Sequence, residues 1–177
     1  MRNTRKEQDE IPFSRVLRLF LTFFLCFLDQ FTKALAQTRL RGRSAFEVIP
    51  GILELRYLEN RGIAWGMLQG KTVVFLLFSV CFFLIMIFLA FRIPKSRRYL
   101  PLQFVWILMV SGAAGNFIDR LHHGYVVDFI YLSCIHFPIF NVADICVVSG
   151  GLLLAGLILF YYQDEDFEIL RSIIWKN

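Results

Sequence analysis

The chain has 177 residues, 57% of them hydrophobic and 20 of them phenylalanine, with a mean hydropathy of +0.58. That exceeds the roughly 45–50% apolar content of soluble domains and excludes intrinsic disorder, although 19% of the residues still carry charge. Four scattered cysteines (Cys26, Cys81, Cys134, Cys146) without CxxC or Cys/His spacing exclude a disulfide scaffold, and the net charge of +5 suggests nucleic acid only until its distribution is read.

The first apolar stretch, about 16–36, follows Arg2, Arg5, Lys6, Arg15 and Arg18 and is interrupted by Asp29 and Lys33. A cleavable leader needs a small-x-small site after the apolar core. Asp-Gln-Phe-Thr-Lys follows Leu28 instead, so the stretch is read as a retained helix. Asp29 and Lys33 are spaced i,i+4, lie on one helix face and can pair, which keeps both charges from lipid. Next, Phe46-Glu-Val-Ile and Ile52-Leu-Glu-Leu-Arg-Tyr-Leu58 flank Pro50-Gly51. They read as two short strands about a turn, a small amphipathic sheet within about 44–66, with an ordinary capped loop as the competing reading.

Thr72–Phe91 and Tyr99–Ile118 each run 20 residues without a charge, and Ile145–Gln163 runs 19. A hydrocarbon core about 30 Å thick takes about 20 helical residues, so each run is long enough to span. The segment Leu121–Phe140, with His122, His123, Gly124 and Pro138, reads as an interfacial loop or short helix. The acidic tail (Asp164, Glu165, Asp166, Glu168) reads as a solvated end. The expected fold is an α-helical membrane protein with four transmembrane helices, about 16–36, 72–91, 99–118 and 145–163, in one integral-membrane domain over the whole chain.

Lysine and arginine density sets the orientation. Arg92, Lys95, Arg97 and Arg98 crowd between spans two and three, and five basic residues precede or begin span one. The segment between spans one and two holds Arg39, Arg41, Arg43, Arg56, Arg61 and Lys71 over a longer loop, and Arg120 follows span three. Both termini are therefore expected in the cytoplasm, with residues 37–71 and 119–144 outside. Topology and anionic headgroups account for the positive charge, and nucleic acid is not needed.

A short list of polar groups remains near the outer ends of the spans: Asp29, Lys33, Asn60, Asn116, Asp119, Arg120, Asp128, Asn141 and Asp144. Ionisable groups at such depth are costly and turn inward, towards each other or water. Asp119 adjoins Arg120 and can form a juxtamembrane ion pair. Asp144 in Asn141-Val-Ala-Asp144 can serve as the third residue of a capped helix, favoured by the helix dipole. Asp128, alone in Val126-Val-Asp-Phe-Ile130, has nothing local to neutralise it. A sharper reading pairs Asp128 with Asp144: two carboxyls in a low-dielectric site share one proton, so one activates water while the other donates to a carbonyl oxygen. A proton-coupled transporter would instead ladder its charges across the bilayer, and a scaffold would use them only as helix–helix glue.

Five stretches, in order from span one to span four, now take on meaning together: Asp29-Gln-Phe-Thr-Lys33, Asn60-Arg-Gly-Ile-Ala-Trp-Gly66, Gly112-Ala-Ala-Gly-Asn-Phe-Ile-Asp-Arg120, Val127-Asp-Phe-Ile130 and Phe140-Asn-Val-Ala-Asp144. The chain resembles the lipoprotein signal peptidase (signal peptidase II) family of bacterial inner-membrane aspartic endopeptidases. The resemblance implies four transmembrane helices with a small extracytoplasmic β-cradle. It also implies cleavage of diacylglyceryl-modified prolipoproteins on the N-terminal side of the lipidated cysteine, with no metal or cofactor. Matched by position, Asp128 and Asp144 correspond to the catalytic dyad, and Asn116, Asp119 and Arg120 to the motif supporting it. Asn60 and Asn141 correspond to polar residues lining the site, and Asp29 with Lys33 to the pair on the first helix. Ile63 stands where the family commonly has Ala, which bears on packing of the cradle loop. The N-terminal extension, Met1 to about Ser14, has no counterpart in the resemblance. The implied partners are diacylated prolipoproteins and membrane lipids. A monomer suffices, because both carboxylates lie in one chain.

Overall fold

A computed structural model describes residues 15–62 and 72–174. The N-terminal extension, Lys71, Ile63 and the rest of the cradle loop as far as Gly66 lie outside the described residues. Four helices are long and apolar enough to cross a membrane: α1 (Arg15–Leu40), α2 (Thr72–Arg92), α3 (Leu100–His123) and α4 (Val142–Gly156), the last continued by a π-turn to Tyr161. The fold is thus a four-span helical membrane protein with a small sheet. α3 is the central helix, packed on α4, α1 and α2. α2 has the most apolar span, with no residue of it buried inside the protein, as suits a helix turned largely to lipid. Phe20, Phe23, Phe27 and Phe31 line an exposed face of α1, whereas Asp29, Lys33 and Ala36 are buried.

The hairpin forms where the Pro-Gly turn predicts it. β1 (Phe46–Ile49) pairs antiparallel with β2 (Leu53–Asn60), Gly51 has φ +71°, and the Ile52 amide donates to the Ile49 carbonyl at 3.0 Å. Proline followed by glycine at positive φ is what a type II turn requires.

The segment after α3 departs from expectation. Its first part is a strand, β3 (Val126–Leu132), antiparallel to β2, so the sheet has three strands in the order β1-β2-β3. Only the remainder is a short 3-10 helix (Ser133–Ile135) and a loop. β3 is buried on both faces over Val126–Phe129, so its sequence lacks the alternation of a half-wet strand. Val127 and Phe129 pack with Ala36 of α1, while Asp128 lies on the opposite face, across from Leu58. The Phe140 carbonyl accepts from the amides of Phe129 and Ile130, and its amide donates to the Ile130 carbonyl at 3.0 Å. That clamp sets the start of α4 beside β3.

The acidic tail is also more than a solvated end. It forms α5 (Asp164–Ile174), and Asp166 in its first turn is buried and bonded to Arg98 with N···O 2.7 Å. The Arg98 guanidinium also donates to the Tyr161 carbonyl at 2.6 Å and lies 4.2 Å from that ring centroid. Tyr99, Val105, Leu157 and Tyr162 form the core beneath this clasp, at the end of the bundle far from the sheet.

Candidate active site

Every residue singled out at the sheet end belongs to one hydrogen-bonded cluster, apart from Arg120 at its edge. Asn141 caps α4: its side chain accepts from the Asp144 amide at 2.9 Å, and the Asp144 carboxylate accepts from the Asn141 amide at 3.2 Å. The capping role of Asp144 is therefore real, and it leaves its other oxygen to accept from Asn116 Nδ2 at 2.8 Å. The Asn141 amide group donates to Asp128 Oδ1 at 2.6 Å, and Asn60 Nδ2 donates to Asp128 Oδ2 at 2.8 Å. Asp128 is 1% exposed and Asn141 is wholly buried. One asparagine thus touches both carboxylates of the sequence-derived pair.

Lys33 anchors the other half. Its ammonium lies 2.9 Å from Asp29, 3.1 Å from Asp119 and 2.9 Å from Asn116 Oδ1, which uses all three of its donors. Asp119 therefore pairs with Lys33 and not with the adjacent Arg120. Successive helical side chains diverge, and α3 turns Asp119 inward. Its Oδ2 also accepts from the Val127 amide at 2.9 Å, which fixes the start of β3. Asp29 Oδ1 accepts from the Ala143 amide at 2.8 Å, so α1 satisfies a first-turn donor of α4. Arg120 sits apart from these ion pairs, its guanidinium 4.7 Å from the Phe75 ring centroid and 3.5 Å from the Gly62 carbonyl.

Two residues escaped the sequence reading of the site. Gln30 donates to Asp29, to the Gly115 carbonyl and to Asp119, all at 3.0–3.1 Å. A glutamine inside an apolar span beside Asp29 was the available signal. Gly115 lets α1 and α4 approach α3: a side-chain carbon there would run into the Asp29 carboxylate and the Ala143 methyl.

Four carboxylates and one lysine share this cluster, and the lysine serves Asp29 and Asp119. Asp128 and Asp144 receive only amide donors. Burial and, next, the negative charge of Asp144 push the Asp128 carboxyl up to about 7, against the opposing hydrogen bonds from Asn60 and Asn141. Leu58, directly across from Asp128, is exposed, as are Ile49 and Ile52 at the hairpin turn and Phe137 after β3. Among the described residues no three His, Cys, Asp or Glu side chains are grouped to hold a metal ion.

Membrane-length helices closing with a sheet around buried carboxylates place the molecule in the class of multi-pass membrane enzymes. Comparison narrows the class. The sequence profile of peptidase family A8, described as Signal peptidase (SPase) II, matches residues 21–160, and the chain belongs to that family. It is 39% identical to the lipoprotein signal peptidase of Caldanaerobacter subterraneus subsp. tengcongensis, over 81% of this chain and 97% of that one. It is 43% identical to the lipoprotein signal peptidase of Caldicellulosiruptor bescii, over 79% and 89% respectively. Among solved structures, a bacterial membrane enzyme determined by the in meso method at 2.3 Å resolution superimposes with a TM-score of 0.76 at 33% identity, covering 82% of this chain and 88% of that one.

Proposed function

We propose that Asp128 and Asp144 are the catalytic pair with which this peptidase removes signal peptides from prolipoproteins in the bacterial cytoplasmic (inner) membrane. The observation that carries the assignment is their shared contact with Asn141 in a buried setting. Among the described residues neither makes a salt bridge with a lysine or arginine, Arg120 acting on them only at longer range. Two carboxyls so placed hold one proton between them and titrate as a pair. The ionised member takes a proton from water as the water oxygen attacks the scissile carbonyl carbon. The protonated member donates to the carbonyl oxygen, and proton return to the amide nitrogen completes C–N cleavage. Asn60, Asn116 and Asn141 hold the carboxylates in place. Asp29, Lys33 and Asp119 fix the helices and strand that carry them, and Arg120 closes the edge of the site.

The scissile bond is that preceding a diacylglyceryl-modified cysteine. The exposed apolar Leu58 across from Asp128 and the membrane-length helices beside the pair suit a substrate whose signal helix and lipid chains stay in the bilayer. Lysine and arginine density places both termini in the cytoplasm and the pair at the outer face. One chain holds the whole pair, so a monomer suffices as the working unit.

The test is a gel-shift assay with purified protein and a diacylated prolipoprotein. Asp128→Asn and Asp144→Asn should each lower cleavage by about 10²–10⁴-fold while the protein inserts and purifies normally. Full activity in either variant overturns the pair. Equal cleavage of the unlipidated precursor overturns the lipidated substrate.

A further inference from the structure

At the end of the bundle far from the sheet, a cavity of about 180 Å³ opens between α2, α3, α4 and α5. Met86 and Leu89 wall it from α2, Val105 and Trp106 from α3, Leu154 from α4 and Leu170 from α5. The Trp106 indole N–H is already given to the Met86 carbonyl at 2.8 Å, so this wall offers carbon and no free indole donor. Arg92 is the one charged residue in the lining. Its guanidinium donates to the Ile173 carbonyl and lies 5.0 Å from the Phe88 ring centroid, contacts that engage only part of its five donors.

The surroundings are strongly cationic. Lys95, Arg97 and Arg98 follow Arg92, and Arg15 and Arg18 reach the same end from α1, where they lie over Phe91 and Trp106. Among the described residues only Arg98 of this group has a carboxylate within salt-bridge distance. An apolar slot lined by one arginine fits an acyl chain joined to an anionic head, and in a bilayer the abundant source of that chemistry is a phospholipid. A zwitterionic headgroup adds a cation that this cluster repels, whereas an anionic headgroup does not.

We propose that this groove is a binding site for one anionic phospholipid, its acyl chain between α2 and α3 and its phosphate at Arg92. The bound lipid joins α5 to the spans, because Leu170 is a wall of the groove and the Ile173 carbonyl shares Arg92. The inference rests on the membrane-spanning reading and not on the catalytic pair, which lies at the opposite end.

Native mass spectrometry on the detergent-solubilised full chain tests it, with phosphatidylglycerol and phosphatidylcholine of identical acyl chains as probes. The unsubstituted protein should retain phosphatidylglycerol about fivefold more than phosphatidylcholine, the preference expected of one arginine facing an anionic headgroup. Arg92→Gln should bring the two lipids within about twofold of each other, and Arg92→Lys should keep the preference. Leu89→Trp, which fills the groove, should lower retention of both. Phosphatidylglycerol should also raise Tm in the unsubstituted protein and not in Leu89→Trp, since a ligand bound only to the folded state stabilises it. Inorganic phosphate at matched ionic strength should not displace the lipid. Prolipoprotein cleavage by each variant reports that it is folded. An unsubstituted protein without preference, a preference surviving Arg92→Gln, retention unchanged in Leu89→Trp, or displacement by inorganic phosphate overturns the site. Lipid preference in a protein that cleaves no prolipoprotein leaves the site standing and removes the proposed function instead.

Discussion

The buried cluster at the sheet end contains two pairs of carboxylates in contrasting surroundings. Asp29 and Asp119 are bridged by Lys33 and further bonded to backbone amides of α4 and β3. Asp128 and Asp144 are met by asparagine side chains alone, apart from the capping amide that Asp144 receives. The first pair is compensated by Lys33 and serves to join elements distant in sequence. The second is left short of positive charge, so protonation answers the cost of burial. Chemical identity therefore says little about these four aspartates, and the supply of cations around them says much.

Exchanges that remove one charge from each half should separate them most sharply. Asp128→Asn should lower cleavage by about 10²–10⁴-fold with a smaller fall in Tm than Lys33→Met, because it removes a buried charge without stranding another, although its amide nitrogen meets one of the two asparagine donors. Lys33→Met should act chiefly on stability. It strands two buried carboxylates, and breaking a buried pair costs about 3–5 kcal/mol, so detergent-solubilised protein should show a large fall in Tm. A Lys33→Met protein with unchanged Tm would erase the distinction between the pairs. Gly115→Ala probes the same joint by volume. The added methyl meets Asp29 and Ala143, and overpacking of this kind costs about 1–3 kcal/mol, read as a smaller Tm loss.

The pH response should be read on the second pair. Asp128 ionises near 7, so cleavage should fall by about tenfold per pH unit well above that value. The same shift has a stability sign. Between about pH 4 and 7 the unfolded chain has released the Asp128 proton while the folded chain retains it, so stability should decline as pH rises through that window. Urea or thermal unfolding of Asp128→Asn should show that slope flattened. The smallest expected effect comes from Asn60→Ala. It removes a donor that holds the Asp128 carboxyl down, so the alkaline limb of the activity profile should move upward by on the order of one unit. A limb that moves downward would show that Asn60 acts otherwise.

The spans were legible because lipid imposes a minimum length of uncharged residues, and Asp128 because a lone carboxylate in Val-Val-Asp-Phe-Ile has no bland use. β3 was not legible as a strand. Its partner β2 lies far away in sequence, and a segment buried on both faces loses the alternation by which strands are read. Asp119 was hidden by its neighbour: adjacency to Arg120 suggests a local pair, yet consecutive side chains on a helix point apart, and the true partner is Lys33. The tail looked solvated because its acidic run is short. What orders it is Arg98, 68 residues earlier. In each case the missing information was a contact between distant segments.

That distance has a consequence for how the protein comes into being. Asp29 accepts from Ala143, so a residue of the first helix completes the opening turn of the last one, 114 positions later. Until α4 has entered the bilayer, Lys33 lacks the Asn116–Asp144 link and Asp128 lacks Asn141. At about 5–20 residues per second the ribosome needs on the order of ten seconds or more to reach that point. Throughout synthesis the nascent chain therefore carries only part of this cluster, and on the proposed assignment it should cleave nothing until α4 is in place. The cluster is complete only when the fourth segment docks.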